Sequence, residues 1–452
     1  MNKTSLGRMT EGKPLSLILR FAFPLLLGNL FQQTYNMVDA AIVGQTLGAD
    51  ALGSVGASTS VQFLVIGFCI GICAGFSIPV AQTFGAKKYE NLRKYIYHAI
   101  LLTVLFGAIL TIGCALLCSA ILHVLQTPEE LFADAYIYLF IIFLGIPFNL
   151  TYNLCSSILR AVGDGRTPFL FLAFSAVLNI GLDFLCIMVF HWGTAGAAIA
   201  TVFSQGLSGV LCILSMRKRH PILTVTAKEK HWDGHYAKIL CAMGLPMGLQ
   251  YSITAIGSMV MQSANNSLGA IYVSGYAAGM KIKQLAMCPF DALATGVSTF
   301  VGQNYGANQI DRVRLGVRQG TWAGILYGIV IGIVLILFGR PMSLMFVNAE
   351  YTQMLDASGQ YLRALGFFFW VLGILNVCRM SVQALGFSIR AVFGGVLEMI
   401  ARTVVSFALV PYFGFNAICI ADQCAWISAA VYIYFTLRWC LKKIETRHAP
   451  VD

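Results

Sequence analysis

The chain has 452 residues, 58% of them hydrophobic and only 11% charged, a balance that excludes a soluble globular protein and points to a polytopic membrane protein. Its formal net charge of +11 would suit a nucleic-acid partner if the basic residues clustered on one soluble domain. They are spread in short groups along the whole chain, which excludes that reading.

A membrane-crossing helix needs about 20 apolar residues, and such runs are predicted at about 15–43, 54–83, 95–122, 131–154, 166–189, 194–216, 237–265, 275–304, 316–338, 357–384, 388–411 and 415–440. Twelve spans make an all-α integral membrane protein. The first run carries Asn29, Gln32, Asn36 and Asp39 at helical spacing, one polar stripe with Tyr35 beside it. An ionised Asp in mid-span costs about 2.5–3.5 kcal/mol, so Asp39 must face a cavity or a partner. In the second run "GFCIGICAG" repeats small residues at the spacing that lets helices approach closely. The fourth adds Asn149 and Asn153, the fifth Ser175, Asn179 and Asp183, and the sixth Thr201, Ser204, Gln205 and Ser208. Four helices of the first half thus each present a polar face, and the stripes are expected to converge on a wet cavity. Two carboxylates there would share a proton or coordinate a small cation. For any single Asn or Gln an interhelical hydrogen bond explains the residue equally well.

The seventh run offers only neutral groups, Gln250, Thr254, Ser258 and Gln262. The eighth carries Lys281, Lys283 and Asp291, whose role stays open, and the ninth has glycine at every fourth position from Gly316 to Gly332, a packing seam. Glu398 and Arg402, one turn apart, read as a structural ion pair, and Asp422 closes the series. Pro24, Pro79, Pro147, Pro246 and Pro289 fall inside spans and predict bends.

The loops alternate in charge. Lys3, Arg8 and Lys13 precede the first span, Lys87, Lys88, Arg93 and Lys94 follow the second, and every second loop continues the series; the opposite loops carry Asp50, Glu129, Glu130, Asp134, Glu350 and Asp356. The positive-inside rule then puts both termini in the cytoplasm, and the expected location is the plasma (inner) membrane. No cleavable leader is predicted, and the first run serves as the targeting signal. The cysteines lie scattered in apolar runs without metal-ligand spacing, His220, His231 and His235 read as solvated loop residues, and no P-loop, HExxH or nucleophile set is present, so the chain is not read as an enzyme.

The stretch that begins at Gly75 returns at Gly296, with Ser77/Ser298, Val80/Val301, Gln82/Gln303, Gly85/Gly306 and Arg93/Arg314 in register. Pro24/Pro246 and Gly163/Gly386 extend the match. The expected organisation is two six-helix lobes, 1–222 and 223–452, joined by a basic cytoplasmic linker near 217–238. An even number of spans between copies gives both lobes the same orientation, a plan used by many carriers.

Gln32, Tyr35, Asn36, Asp39 and Gly44, "LRAVGDGRTP" after the fourth span, Asn179 with Asp183, and "FVGQNYGA" in the second half together resemble the MATE family of multidrug and toxin extrusion transporters. The resemblance covers nearly the whole chain. It implies twelve helices in two lobes and efflux of cationic or amphipathic organic compounds in exchange for H+ or Na+, with no cofactor, with membrane lipid as surroundings and with the monomer as the expected state. In the DinF-like branch a first-helix Asp and a later Asn/Asp pair couple the ion; they match Asp39, Asn179 and Asp183, with Thr201 at a neighbouring polar position. A Na+ ion, if used, would sit at Asp39, Asn179 and Asp183, and Gln32, Tyr35, Asn36, Asn149 and Asn153 are the expected substrate-binding positions. The acidic seventh-helix residue of other branches is absent, which points to coupling through the first lobe. The alternative is a flippase for a lipid-linked saccharide or other anionic lipid, for which Lys281, Lys283 and Arg363 would supply the charge.

Overall fold

A computed structural model describes residues 8–124 and 127–448, so Lys3 lies outside the described residues, as does the side chain of Asp50. All described elements are helical: α1 Pro14–Leu47, α2 Ala49–Gly85, α3 Tyr89–Val124, α4 Glu129–Leu144, α5 Ile146–Ala161, α6 Arg166–Asp183, α7 Gly193–Arg219, α8 Gly234–Asn266, α9 Ala270–Gly306, α10 Ile310–Met342, α11 Thr352–Ala384, α12 Ser388–Val404, α13 Val410–Phe413 and α14 Phe415–His448. Eleven are long and apolar enough to cross a bilayer, and α4 with α5, bent by 45°, makes a twelfth span. The bend falls where the sequence predicts one: Pro147, the second residue of α5, has no amide hydrogen to continue the helix ladder across Gly145. Large apolar side chains such as Phe23, Leu116 and Phe407 stand more than half exposed on the outer faces, as a lipid surface requires.

α6 and α12 both end in a π-helical turn, Phe184–Val189 and Val405–Leu409. In the register that pairs Gly163 with Gly386 the two turns overlap, so each repeat carries a π-helical turn at the end of its fifth span.

The chain divides into two compact units, and their boundaries differ from the expected break at 222/223. The first unit is Met1–Arg8 with Leu27–Gly248; the second is Met9–Leu26 with Leu249–Asp452. Two of the three boundaries fall inside a helix, close after Pro24 of α1 and Pro246 of α8. The cause is close backbone packing. Within the first unit a Cβ on Gly71 would lie 2.6 Å from the Met247 carbonyl and one on Gly75 2.5 Å from Gly244 Cα, so α2 and the first half of α8 meet with no room for side chains. Within the second, Gly296 of α9 meets Ile18 and Ala22 of α1 in the matching way. The glycine seam of α10 is also packing: Gly324 faces Gly373, and Gly328 and Gly332 face Trp370 and Gly366 of α11.

The segment after α7, expected as a free linker, is fastened within the first unit. Arg93 Nε donates to Glu229 at 2.6 Å, the Asp233 N–H donates to His98 Nε2 at 2.9 Å, and His220 Nε2 lies 2.9 Å from Asp164 Oδ2. His220, read from sequence as solvated, is buried against this carboxylate.

Candidate functional site

Inside the first unit the polar faces of α1, α6 and α7 meet as their spacing predicts. Asp39 and Asp183 bring their carboxyls within hydrogen-bonding reach of one another. Two ionised carboxylates are both acceptors, so this contact needs a proton or a cation between them. Asp183 is fully buried, and the Oδ1 atoms of both residues are buried without a hydrogen-bond partner. Among the described residues neither carboxyl forms an ion pair. Buried unsatisfied oxygens of this kind call for a ligand or water.

The Asn179 amide satisfies its surroundings with its nitrogen donating to Asp183 Oδ2 at 2.8 Å and its oxygen accepting from the Thr201 N–H at 3.0 Å, an orientation assigned from the network. Thr201 Oγ1 in turn lies 3.4 Å from Tyr35 Oη. Asp39, Asn179, Asp183, Thr201 and Tyr35 therefore form one cluster of hard oxygen ligands on three helices. Tyr138, 5% exposed on α4 and hydrogen-bonded to Gln62 of α2, belongs with it electrostatically, and sequence reasoning passed it over as an ordinary core aromatic.

The other expected positions sit elsewhere. Gln32 and Asn36 are exposed on the same face of α1 as Asp39. Asn149 and Asn153 build their own amide chain: Asn149 donates to Gln205 Oε1 at 3.0 Å and Asn153 to Asn149 Oδ1 at 3.0 Å. The Asn149–Gln205 bond joins α5 to α7, while Asn153 bonds within α5. Among the described residues no cluster of His, Cys, Asp or Glu has the form of a metal centre.

The second unit holds a different set. Lys283 Nζ lies 2.5 Å from Asp422 Oδ2, Tyr361 Oη donates to the same oxygen at 2.8 Å, and Arg402 Nη2 meets Asp422 Oδ1 at 3.0 Å. Glu398 takes Arg402 at 3.7 Å and also Arg379. The Glu398–Arg402 pair read from the sequence is thus one link of a longer buried network. Asp422, 0% exposed, is at its centre, while Asp291 is exposed.

The MatE family model matches residues 24–185 and 246–408, one stretch in each repeat. The chain is 30% identical over 405 residues to the "Probable multidrug resistance protein YpnP" of Bacillus subtilis (strain 168), covering 89% of this chain and 88% of that protein. It is 25% identical to the "DNA damage-inducible protein F" of Escherichia coli (strain K12), with 68% of each chain covered. In fold it matches a solved structure described as the "Outward-facing conformation of a multidrug resistance MATE family transporter of the MOP superfamily", with a TM-score of 0.92, 20% identity, and coverage of 98% of this chain and 100% of that one.

Proposed function

The chain belongs to the MatE family of membrane transporters, and within it we propose an ion-coupled antiporter that exports organic cations or amphipathic xenobiotics, driven by H+ or Na+ entering at Asp39, Asn179, Asp183 and Thr201. It is a transporter and not an enzyme. The observation that carries the coupling reading is the Asp39–Asp183 contact, two carboxyls in mutual reach inside an apolar helix bundle with buried oxygens left unpartnered. An exchangeable H+ or Na+ completes such a cluster, and amide, hydroxyl and carboxylate oxygens suit either ion.

Coupling follows from charge. With both carboxyls ionised, the polar face of α1 attracts an organic cation, for which Gln32, Tyr35 and Asn36 are the binding positions on that helix. Loading H+ or Na+ lowers the negative charge of the pair and discharges the drug; release of the ion to the cytoplasm restores affinity. The alternation of the loop charges supports cytoplasmic termini. A lipid-phosphate substrate fits less well, because Lys283, one of the three basic residues it would call on, is occupied by Asp422.

The test is uptake of a fluorescent organic cation into inside-out vesicles under an imposed pH gradient and, separately, a Na+ gradient, for wild type and Asp39→Asn. One gradient drives wild-type uptake, and the variant loses it while keeping its melting temperature. Gradient-driven uptake that survives in Asp39→Asn overturns the reading.

A further inference from the structure

The repeat can be carried down to single side chains of the two buried clusters. α2 and α9 are of equal length, Ala49 matching Ala270 and Gly85 matching Gly306, and this register sets Lys283 at the position of Gln62. The bent span α4–α5 and the helix α11 also begin and end in step, Glu129 with Thr352 and Ala161 with Ala384, which sets Tyr361 at the position of Tyr138. In the same register the buried Pro168, Ser175 and Asn179 of α6 fall on the buried Ala391, Glu398 and Arg402 of α12. In α7 the buried Ala197, Ala200, Ser204 and Ser208 fall on the buried Ile418, Ala421, Ala425 and Ala429 of α14, which sets Asp422 at the position of Thr201.

Each unit therefore brings the same four positions together. In the first they are Gln62, Tyr138, Asn179 and Thr201, joined by the Gln62–Tyr138 and Asn179–Thr201 contacts. In the second they are Lys283, Tyr361, Arg402 and Asp422, joined by Lys283–Tyr361 at 3.4 Å and the three contacts to Asp422. The neutral frame of the first unit surrounds two carboxyls. In the second, the register that pairs Pro24 with Pro246 puts the buried Met261 at the position of Asp39, and the register of α6 and α12 puts Ser406 at that of Asp183. The carboxylate has moved onto the frame at Asp422, and an ammonium group has come in beside it.

We infer that the second unit is a cation site built on the plan of the first, whose permanent occupant is the ammonium of Lys283, tethered where the first unit takes an exchangeable ion. Around Lys283 Nζ stand the features of an amine seat: the Asp422 carboxylate, the Tyr361 hydroxyl, the Met280 sulfur at 3.9 Å and the Trp426 ring face at 5.4 Å from its centroid. Shortening Lys283 empties a seat whose chemistry fits a small primary alkylammonium.

The comparison with the first unit rests on the ion-site reading of Asp39 and Asp183; the amine seat itself does not, and its test reads no transport. Lys283→Ala removes three carbons and the ammonium, so n-propylammonium chloride is the matching probe. The purified full chain is melted with increasing n-propylammonium, against sodium chloride at equal ionic strength. Lys283→Ala melts below wild type, and n-propylammonium recovers most of the loss while leaving wild type unmoved. Adding Asp422→Thr, the residue type the first unit carries at Thr201, takes the carboxylate out of the seat and abolishes the amine response. Should Lys283→Ala not survive purification alone, it is purified with n-propylammonium present and melted before and after the amine is dialysed out. Equal amine shifts in variant and wild type, or an amine response that survives Asp422→Thr, overturn the inference.

Discussion

At Glu229 a single carboxylate fastens the segment between α7 and α8. The Thr226 hydroxyl and N–H and the Arg93 guanidinium donate to it, and they hold its pKa down at about 2 against an ordinary 4.5 although burial pushes the other way. The folded value is below the unfolded one, so the stabilisation is fully present above about 4.5 and is lost as pH falls from there to about 2. Protection from amide hydrogen exchange over residues 224–233, taken relative to the intrinsic rate at each pH, should therefore fall across that window in wild type. Glu229→Gln should exchange faster already at pH 7 and lose the acid step; an unchanged acid step in the variant would assign it to another group. At the same scale the sequence disclosed the coupling candidates unevenly. Asp39, Asn179 and Asp183 could be read because a charge or an amide repeated at helical spacing in an apolar run has few structural uses. Tyr138 and Gln62 could not, because a tyrosine or a lone amide in a span reads as packing until the repeat sets them against Tyr361 and Lys283. The partner of Asp422 was also hidden: Lys283 reaches it across 139 residues, a separation no local pattern reports.

Among the elements, α2 against α8 is a contact with little tolerance. Gly75→Ala places a methyl 2.5 Å from Gly244 Cα, backbone on backbone, so the helices must separate and the chain should lose about 1–3 kcal/mol. Gly113 of α3 has nothing within 4 Å of its added Cβ, and Gly113→Ala should leave stability unchanged or raise it by up to about 1 kcal/mol through helix propensity. Melting temperatures of the two variants measured side by side check the pair; equal effects would mean that close approach does not hold α2 and α8 together. Helix existence was the most legible feature of this chain, since bilayer thickness demands long apolar runs and little else in sequence produces them. Helix ends were less so. α10 starts at Ile310, several residues before the predicted 316, because Arg312 and Arg314 continue the helix beyond the apolar run that prediction measures. The π-helical turns after Asp183 and Val404 left no composition signal at all.

For the whole molecule, the two units do not follow the order of the chain. The repeat predicts two lobes meeting at 222/223, yet the first unit needs the α8 residues up to Gly248, and the second needs Met9–Leu26 from the start of α1. A hydropathy pattern locates α1 and α8 but is silent on which neighbours their first halves choose; the choice is made by Gly71, Gly75 and Gly296, whose missing side chains open backbone-close seats. The second unit is further tied to the chain start by side chains: Gln303 Oε1 accepts from the Met9 N–H at 2.9 Å, and Arg312 donates to the Gly12 carbonyl at 2.9 Å. Expressed alone, residues 1–222 would leave Gly71 and Gly75 uncovered, and residues 223–452 would leave Gly296, Gln303 and Arg312 without the segment they hold. Each half should therefore be degraded when made singly and accumulate when the two are made together, with cation export returning in the co-expressing cells. Stable accumulation of either half by itself would show that its unit closes without the exchanged helix segment, and the division inside α1 and α8 would then carry no structural weight.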